Sequence, residues 1–147
     1  MKEYIYLIVP FTALLLCQIL KFIIETIQKK EIRWGRLFNG TGGMPSTHTS
    51  FTFSLAFTLM YELGIKSPIF ALSLVLSMVV SYDAMGVRLE TERQAQAINK
   101  LVSKVFKGRK PREWAKQLKE EIGHEPLEVL GGVLFAFVVS TFLYYFI

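Results

Sequence analysis

The chain contains one cysteine, two histidines and one aspartate among 147 residues. A lone cysteine, Cys17, excludes a disulfide within the chain and any thiol cluster for a metal. Two histidines far apart in sequence offer no zinc-type ligand group, so neither a metal nor another cofactor is expected. Internal repeats and low-complexity segments are also missing. Charge is nearly absent from four long stretches: Tyr4 to Leu20, Met44 to Leu63, Pro68 to Tyr82 and Leu127 to Ile147. Their length leaves little polar surface for the competing reading, a soluble all-α protein with buried helices.

What is present is apolar. Hydrophobic residues make up 52% of the chain and mean hydropathy is +0.37. A bilayer core of roughly 30 Å takes about 20 helical residues. The first and fourth runs meet that length, and the third does so if it extends through Met85. The second is the most polar, with Ser46, Thr47, Thr49, Ser50, Thr52, Ser54 and Thr58 in it. A helix of that composition faces other helices or a polar cavity and not lipid. The expected architecture is an all-α integral membrane bundle of about four spans, one domain over residues 1–147. Lys2 before an apolar run is compatible with a signal peptide, but Lys21, Phe22 and Glu25 follow where a small-residue cleavage pattern belongs, so the first run is expected to remain as a span.

The basic residues set the orientation. Five of the 17 lie between Lys21 and Arg36, and ten between Arg88 and Lys119. With four spans these two stretches share one side of the membrane, and the positive-inside rule makes it the cytoplasmic side. The expected location is multi-pass in the cell (inner) membrane. The net charge of +5 follows from this topology and from nearby anionic lipid. No basic module beyond the membrane-flanking loops points to nucleic acid. Within the loop of about 88–123, Ile98, Leu101, Val102, Val105 and Phe106 recur at helical spacing, and Trp114, Leu118 and Ile122 do so again. Two short amphipathic helices at the cytoplasmic interface fit this pattern, as does a helical hairpin packed on the span ends.

His48 and His124 each stand at the entrance to an apolar run, after a glycine-containing turn. In this topology both entrances are cytoplasmic. Before His48 runs Thr41-Gly42-Gly43-Met44-Pro45-Ser46-Thr47. The glycines let backbone N–H groups approach a ligand, Pro45 and Ser46 suit the first turn of a helix, and a helix N-terminus attracts phosphate. The same residues also read as an ordinary turn and cap. His124 is followed at four residues by Glu128. A carboxylate bonded to one imidazole nitrogen holds the ring and frees the other nitrogen as a nucleophile; alternatively Glu128 only caps the helix start.

Three segments carry a family likeness: Gly42-Gly43-Met44-Pro45-Ser46-x-His48, Tyr82-Asp83-Ala84-x-Gly86-Val87-Arg88 and Gly123-His124-x-Pro126-Leu127-Glu128-Val129. In order and content the chain resembles the type 2 phosphatidic acid phosphatase superfamily, specifically its divergent branch of small membrane proteins related to acid phosphatases and vanadium haloperoxidases. The resemblance implies that His124 attacks phosphorus with Glu128 orienting it, and that His48 protonates the leaving oxygen. It also implies cationic phosphate ligands. The superfamily's arginine before the nucleophile is replaced here by Leu118, and its Lys and Arg-Pro motif is missing. Lys21 and Arg88 are the substitutes, or else snorkelling interfacial charges. Gly42, Gly43 and Ser46 complete the expected phosphate site, and Asp83 pairs with Arg88 or orients a histidine.

The leading expectation is therefore a metal-independent lipid phosphate phosphatase at the cytoplasmic face, acting on a phosphatidylglycerophosphate or phosphatidate type of lipid. Its alternative is a non-catalytic membrane protein that binds anionic headgroups or a partner. A transporter or channel subunit ranks last, for lack of a broken-helix pair. Four spans also allow a homo-oligomer.

Overall fold

The computed structural model describes residues 4–32, 34, 42–106, 117–120 and 122–147. Among these the chain is all helical: α1 (Ile5–Lys29), α2 (Thr47–Leu63), α3 (Pro68–Met85), α4 (Val87–Phe106) and α5 (Pro126–Phe146). The helices stop where local chemistry stops them. Lys30 turns left-handed after α1, and Gly64 at φ +76° ends α2. The Ser67 side chain caps α3, which begins on Pro68. Gly86 breaks the helix only locally (φ −97°, ψ −93°), and α4 follows at once.

α2 is the central helix, packed on α1, α3 and α5. Bonds and ring contacts fix the directions. Phe11 packs on Phe51, and Thr47 bonds Gln18, so α1 runs antiparallel to α2. Phe57 meets Phe137, and Tyr61 bonds Thr141, so α5 runs parallel to it. Both α2 and α5 therefore start at the same end of the bundle.

The packing is inverted relative to a water-soluble protein. Large apolar side chains such as Leu7, Leu15, Leu72, Val79, Leu134 and Val138 point outward. Small and hydroxylated ones, including Ser54, Thr58, Ser73, Ser77, Ala136 and Ser140, lie inside. Such an exterior is matched to lipid, and small inner residues let helices approach closely. The hydroxyls bond largely to their own helix: Thr58 to the Ser54 carbonyl, Ser77 to Ser73 and Ser140 to Ala136. Among the described residues three helices are long and apolar enough to cross a membrane: α1, the apolar part of the α3–α4 rod, and α5. α2 has 17 residues, about 25 Å at 1.5 Å per residue, and shows its polar positions to its neighbours, as its composition predicts.

The loop region departs from expectation in its second half. α4 accounts for the first amphipathic stretch, but residues 117–120 and 122–125 are irregular, so Leu118 and Ile122 lie on no second helix. Trp114 lies outside the described residues. The reason is visible at Asn99, whose side chain accepts from the Leu118 N–H and donates to the Leu118 carbonyl, both at 2.9 Å. A side chain has taken the place of helical partners.

Candidate active site

The site is built where α2 and α5 begin. Ser46 is the N-cap of α2, so Pro45 and Ser46 precede the helix and are not part of its first turn. The Ser46 side chain does not cap the first turn of α2, where the N–H groups of Thr47, His48 and Thr49 lie. Ahead of it Gly42 and Gly43 both take positive φ, +75° and +78°, a conformation that disfavours any side chain. Ser46 is fully buried and its N–H donates to the Glu128 carbonyl at 3.0 Å. Ser81 of α3 donates to Thr49 Oγ1, and Thr49 donates to Ser46 Oγ. This hydroxyl chain leaves the Ser46 proton to point elsewhere. Gly132 makes the close α2–α5 approach feasible, because a Cβ there would stand 2.6 Å from the Ser46 carbonyl oxygen.

His124 precedes α5 and is only 3% exposed. Its N–H donates to the Ala84 carbonyl at the end of α3. Its Nδ1 lies 2.8 Å from Glu128 Oε2. The same carboxylate oxygen accepts the Glu125 N–H at 3.2 Å, completing a reciprocal capping box with Glu125. Glu128 thus caps the helix and holds the imidazole. Their bond forms although α5 starts after His124, so a shared helical face is not what joins them.

His48 is exposed and sits within the charge field of Arg88, His124 and Lys21; Glu128 feels His124 and Lys21. Lys21 is 1% exposed, well inside the bundle and not snorkelling along its rim. Arg88 bonds Asp83 through Nε at 2.6 Å, which leaves the guanidinium two further amino groups as donors. Asp83 is therefore the arginine's partner: its carboxylate accepts from Arg88. Gly42 and Gly43 line a small cleft of about 150 Å³ together with Leu89, Glu92, Gly123, Glu125 and Glu128. Among the described residues no group of three or more His, Cys, Asp or Glu side chains is arranged to hold a metal ion.

All nine residues singled out in the sequence are thus described, and they gather at one end of the bundle. Glu92 was not foreseen. It lies on the amphipathic α4, where nothing in the pattern distinguishes it from Glu90 or other solvated charges, and its Oε2 accepts the N–H groups of Ile122 and Gly123.

The sequence pattern of the family described as the Divergent PAP2 family matches residues 3–139. The chain belongs to the Divergent PAP2 family. It is also 34% identical, over 95% of its length and 94% of the other's, to a Bacillus subtilis (strain 168) protein named "Uncharacterized membrane protein YuiD". No solved structure matches the chain significantly. Divergent PAP2 membership connects the chain to phosphatases in a general way and agrees with a membrane setting.

Proposed function

We propose that the protein is a lipid phosphate phosphatase whose nucleophile is His124. The observation that carries this reading is the buried His124, bonded to the half-buried Glu128, at the same bundle end as His48 in a chain of the Divergent PAP2 family. With Nδ1 engaged by Glu128, Nε2 of His124 attacks phosphorus. The phosphorus–oxygen bond to the lipid breaks, and the leaving oxygen takes its proton from His48. Water then hydrolyses the phosphohistidine, with His48 accepting a proton, and inorganic phosphate departs. The first-turn N–H groups of α2, Gly42, Gly43, Ser46, Lys21 and Arg88 supply donors and positive charge for the phosphoryl oxygens, and Asp83 holds Arg88.

The positive-inside pattern supports a cytoplasmic site, and hence a phospholipid made inside: phosphatidylglycerophosphate or phosphatidate. Purified protein in detergent is expected to release phosphate from such a lipid without added metal, and His124→Ala to abolish release. His48→Gln is expected to lose about 10²- to 10⁴-fold, and much less on an aryl phosphate, whose leaving oxygen needs no proton. Full activity in His124→Ala would falsify the assigned nucleophile.

A second reading is favoured by the departures from the superfamily's motifs, above all Leu118 in place of an arginine. It is a protein that binds anionic headgroups without turning them over. It requires headgroup binding that depends on Lys21 or Arg88, together with no phosphate release from any lipid tried.

A further inference from the structure

We propose that Glu92 of α4 is a positioning residue for His124, acting through the backbone that precedes the imidazole. This inference rests on His124 as the attacking group. Glu92 Oε2 accepts from two consecutive N–H groups, Ile122 at 3.1 Å and Gly123 at 3.0 Å. These are the two residues immediately before His124. Irregular backbone must find acceptors for its N–H groups, and a carboxylate receiving two of them makes charge-assisted bonds, stronger than neutral ones.

The fit around this clamp is close. A Cβ on Gly123 would overlap the backbone of Leu89, one helical turn before Glu92 on the same face of α4. The segment therefore lies directly against the helix, and only glycine permits it. The other carboxylate oxygen, Oε1, accepts from Gln96 Nε2 at 3.4 Å, so the glutamate is steadied from its own helix. On its far side, the His124 N–H is pinned to the Ala84 carbonyl. The imidazole thus has three points of support: Ala84 at its own backbone, Glu128 at its ring and Glu92 at the two residues before it. Glu92 touches neither histidine ring in any of these bonds. Its effect reaches His124 through the peptide chain.

A displaced nucleophile is costly: a shift of about 1 Å can lower the rate on the order of 10²-fold. Loss of the clamp should therefore lower kcat and leave KM alone, because the phosphate donors on α2 are untouched.

Because the chain holds only two histidines, protein labelled with nitrogen-15 histidine gives two sets of ring signals, assigned with His48→Gln and His124→Gln. In detergent, Glu92→Ala is expected to shift the His124 ring signals and leave those of His48 in place. Release of phosphate from dioleoyl phosphatidate should fall about 10²-fold in kcat with KM unchanged. Glu92→Gln keeps an acceptor oxygen and is expected to restore both readouts in part. Asn99→Ala, which frees the same segment farther from His124, should move neither ring. Unchanged His124 signals in Glu92→Ala overturn the proposal, as do equal shifts in both histidines, which signify general loosening. If Glu92→Ala does not fold, Glu92→Gln decides on the same two signals. A wild-type protein that releases no phosphate sinks the functional reading, while the ring signals still judge the clamp.

Discussion

Glu128 carries two bonds on one oxygen, and they can be separated. Glutamine serves in a capping box as well as glutamate does, so Glu128→Gln should keep the start of α5 intact. It lacks the charge that holds and polarises the His124 imidazole. The expected outcome is an unfolding temperature close to wild type with phosphate release lowered by roughly 10²-fold, the scale on which orienting partners act. Glu128→Ala should in addition lose about 1 kcal/mol of helix capping, visible as a lower unfolding temperature. At this scale the sequence was informative where chemistry is rare. Two histidines and one aspartate stand out in a chain of apolar and basic residues, and each was placed by its immediate neighbours. Lys21 and Glu92 were harder. The burial of Lys21 depends on which face of α1 meets α2. The bonds of Glu92 depend on a loop folding back across roughly 30 residues of chain.

Helices were legible because apolar periodicity and punctuation agreed. Pro68 and Pro126 open α3 and α5, Gly64 closes α2, and the observed bounds of these three helices fall within a few residues of their apolar runs, while α1 continues past Leu20 to Lys29. The second part of the loop between α4 and α5 differs from its spacing at Leu118 and Ile122, because the backbone at Leu118 is bound by Asn99. Spacing reports what a segment can form, and a long-range side-chain bond overrode it. The close contact between α2 and α5 was not foreseen either, although Gly131 and Gly132 mark it. A Cβ at Gly132 would press on the Ser46 carbonyl oxygen and on Thr49. Gly132→Val is therefore expected to push α5 from α2 at the level of the site. Overpacking of this kind costs about 1–3 kcal/mol, so thermal unfolding in detergent should shift downward. Phosphate release should fall further than the lost stability explains, since the Ser46–Glu128 backbone bond joins the two histidine-bearing segments.

Among the described residues the molecule is a polar seam wrapped in an apolar coat, with both histidines and most of its charged groups at one end and Glu62 and Lys66 at the other. The histidine end carries α4 and the segments flanking α1 and α5; the α2–α3 turn lies at the other. Cys17 is fully buried, so a Cys17→Ala background should be silent toward impermeant thiol reagents and accept new cysteines. Arg93→Cys, on an exposed side chain of α4, is expected to label only from the cytoplasmic side of sealed vesicles. Ile65→Cys, in the exposed α2–α3 turn, should label only from the opposite side. The reverse pattern would turn the substrate preference toward lipid phosphates of the outer leaflet. The parallel pairing of α2 with α5 has a consequence for biogenesis. The ribosome delivers His48 to the membrane long before His124. A partly synthesised chain holds a proton donor without a nucleophile, and its α2 lacks the Ser46–Glu128 link. In the proposed reading hydrolysis begins only once α5 has inserted, so incomplete chains pausing at the translocon are harmless to the phospholipids around them.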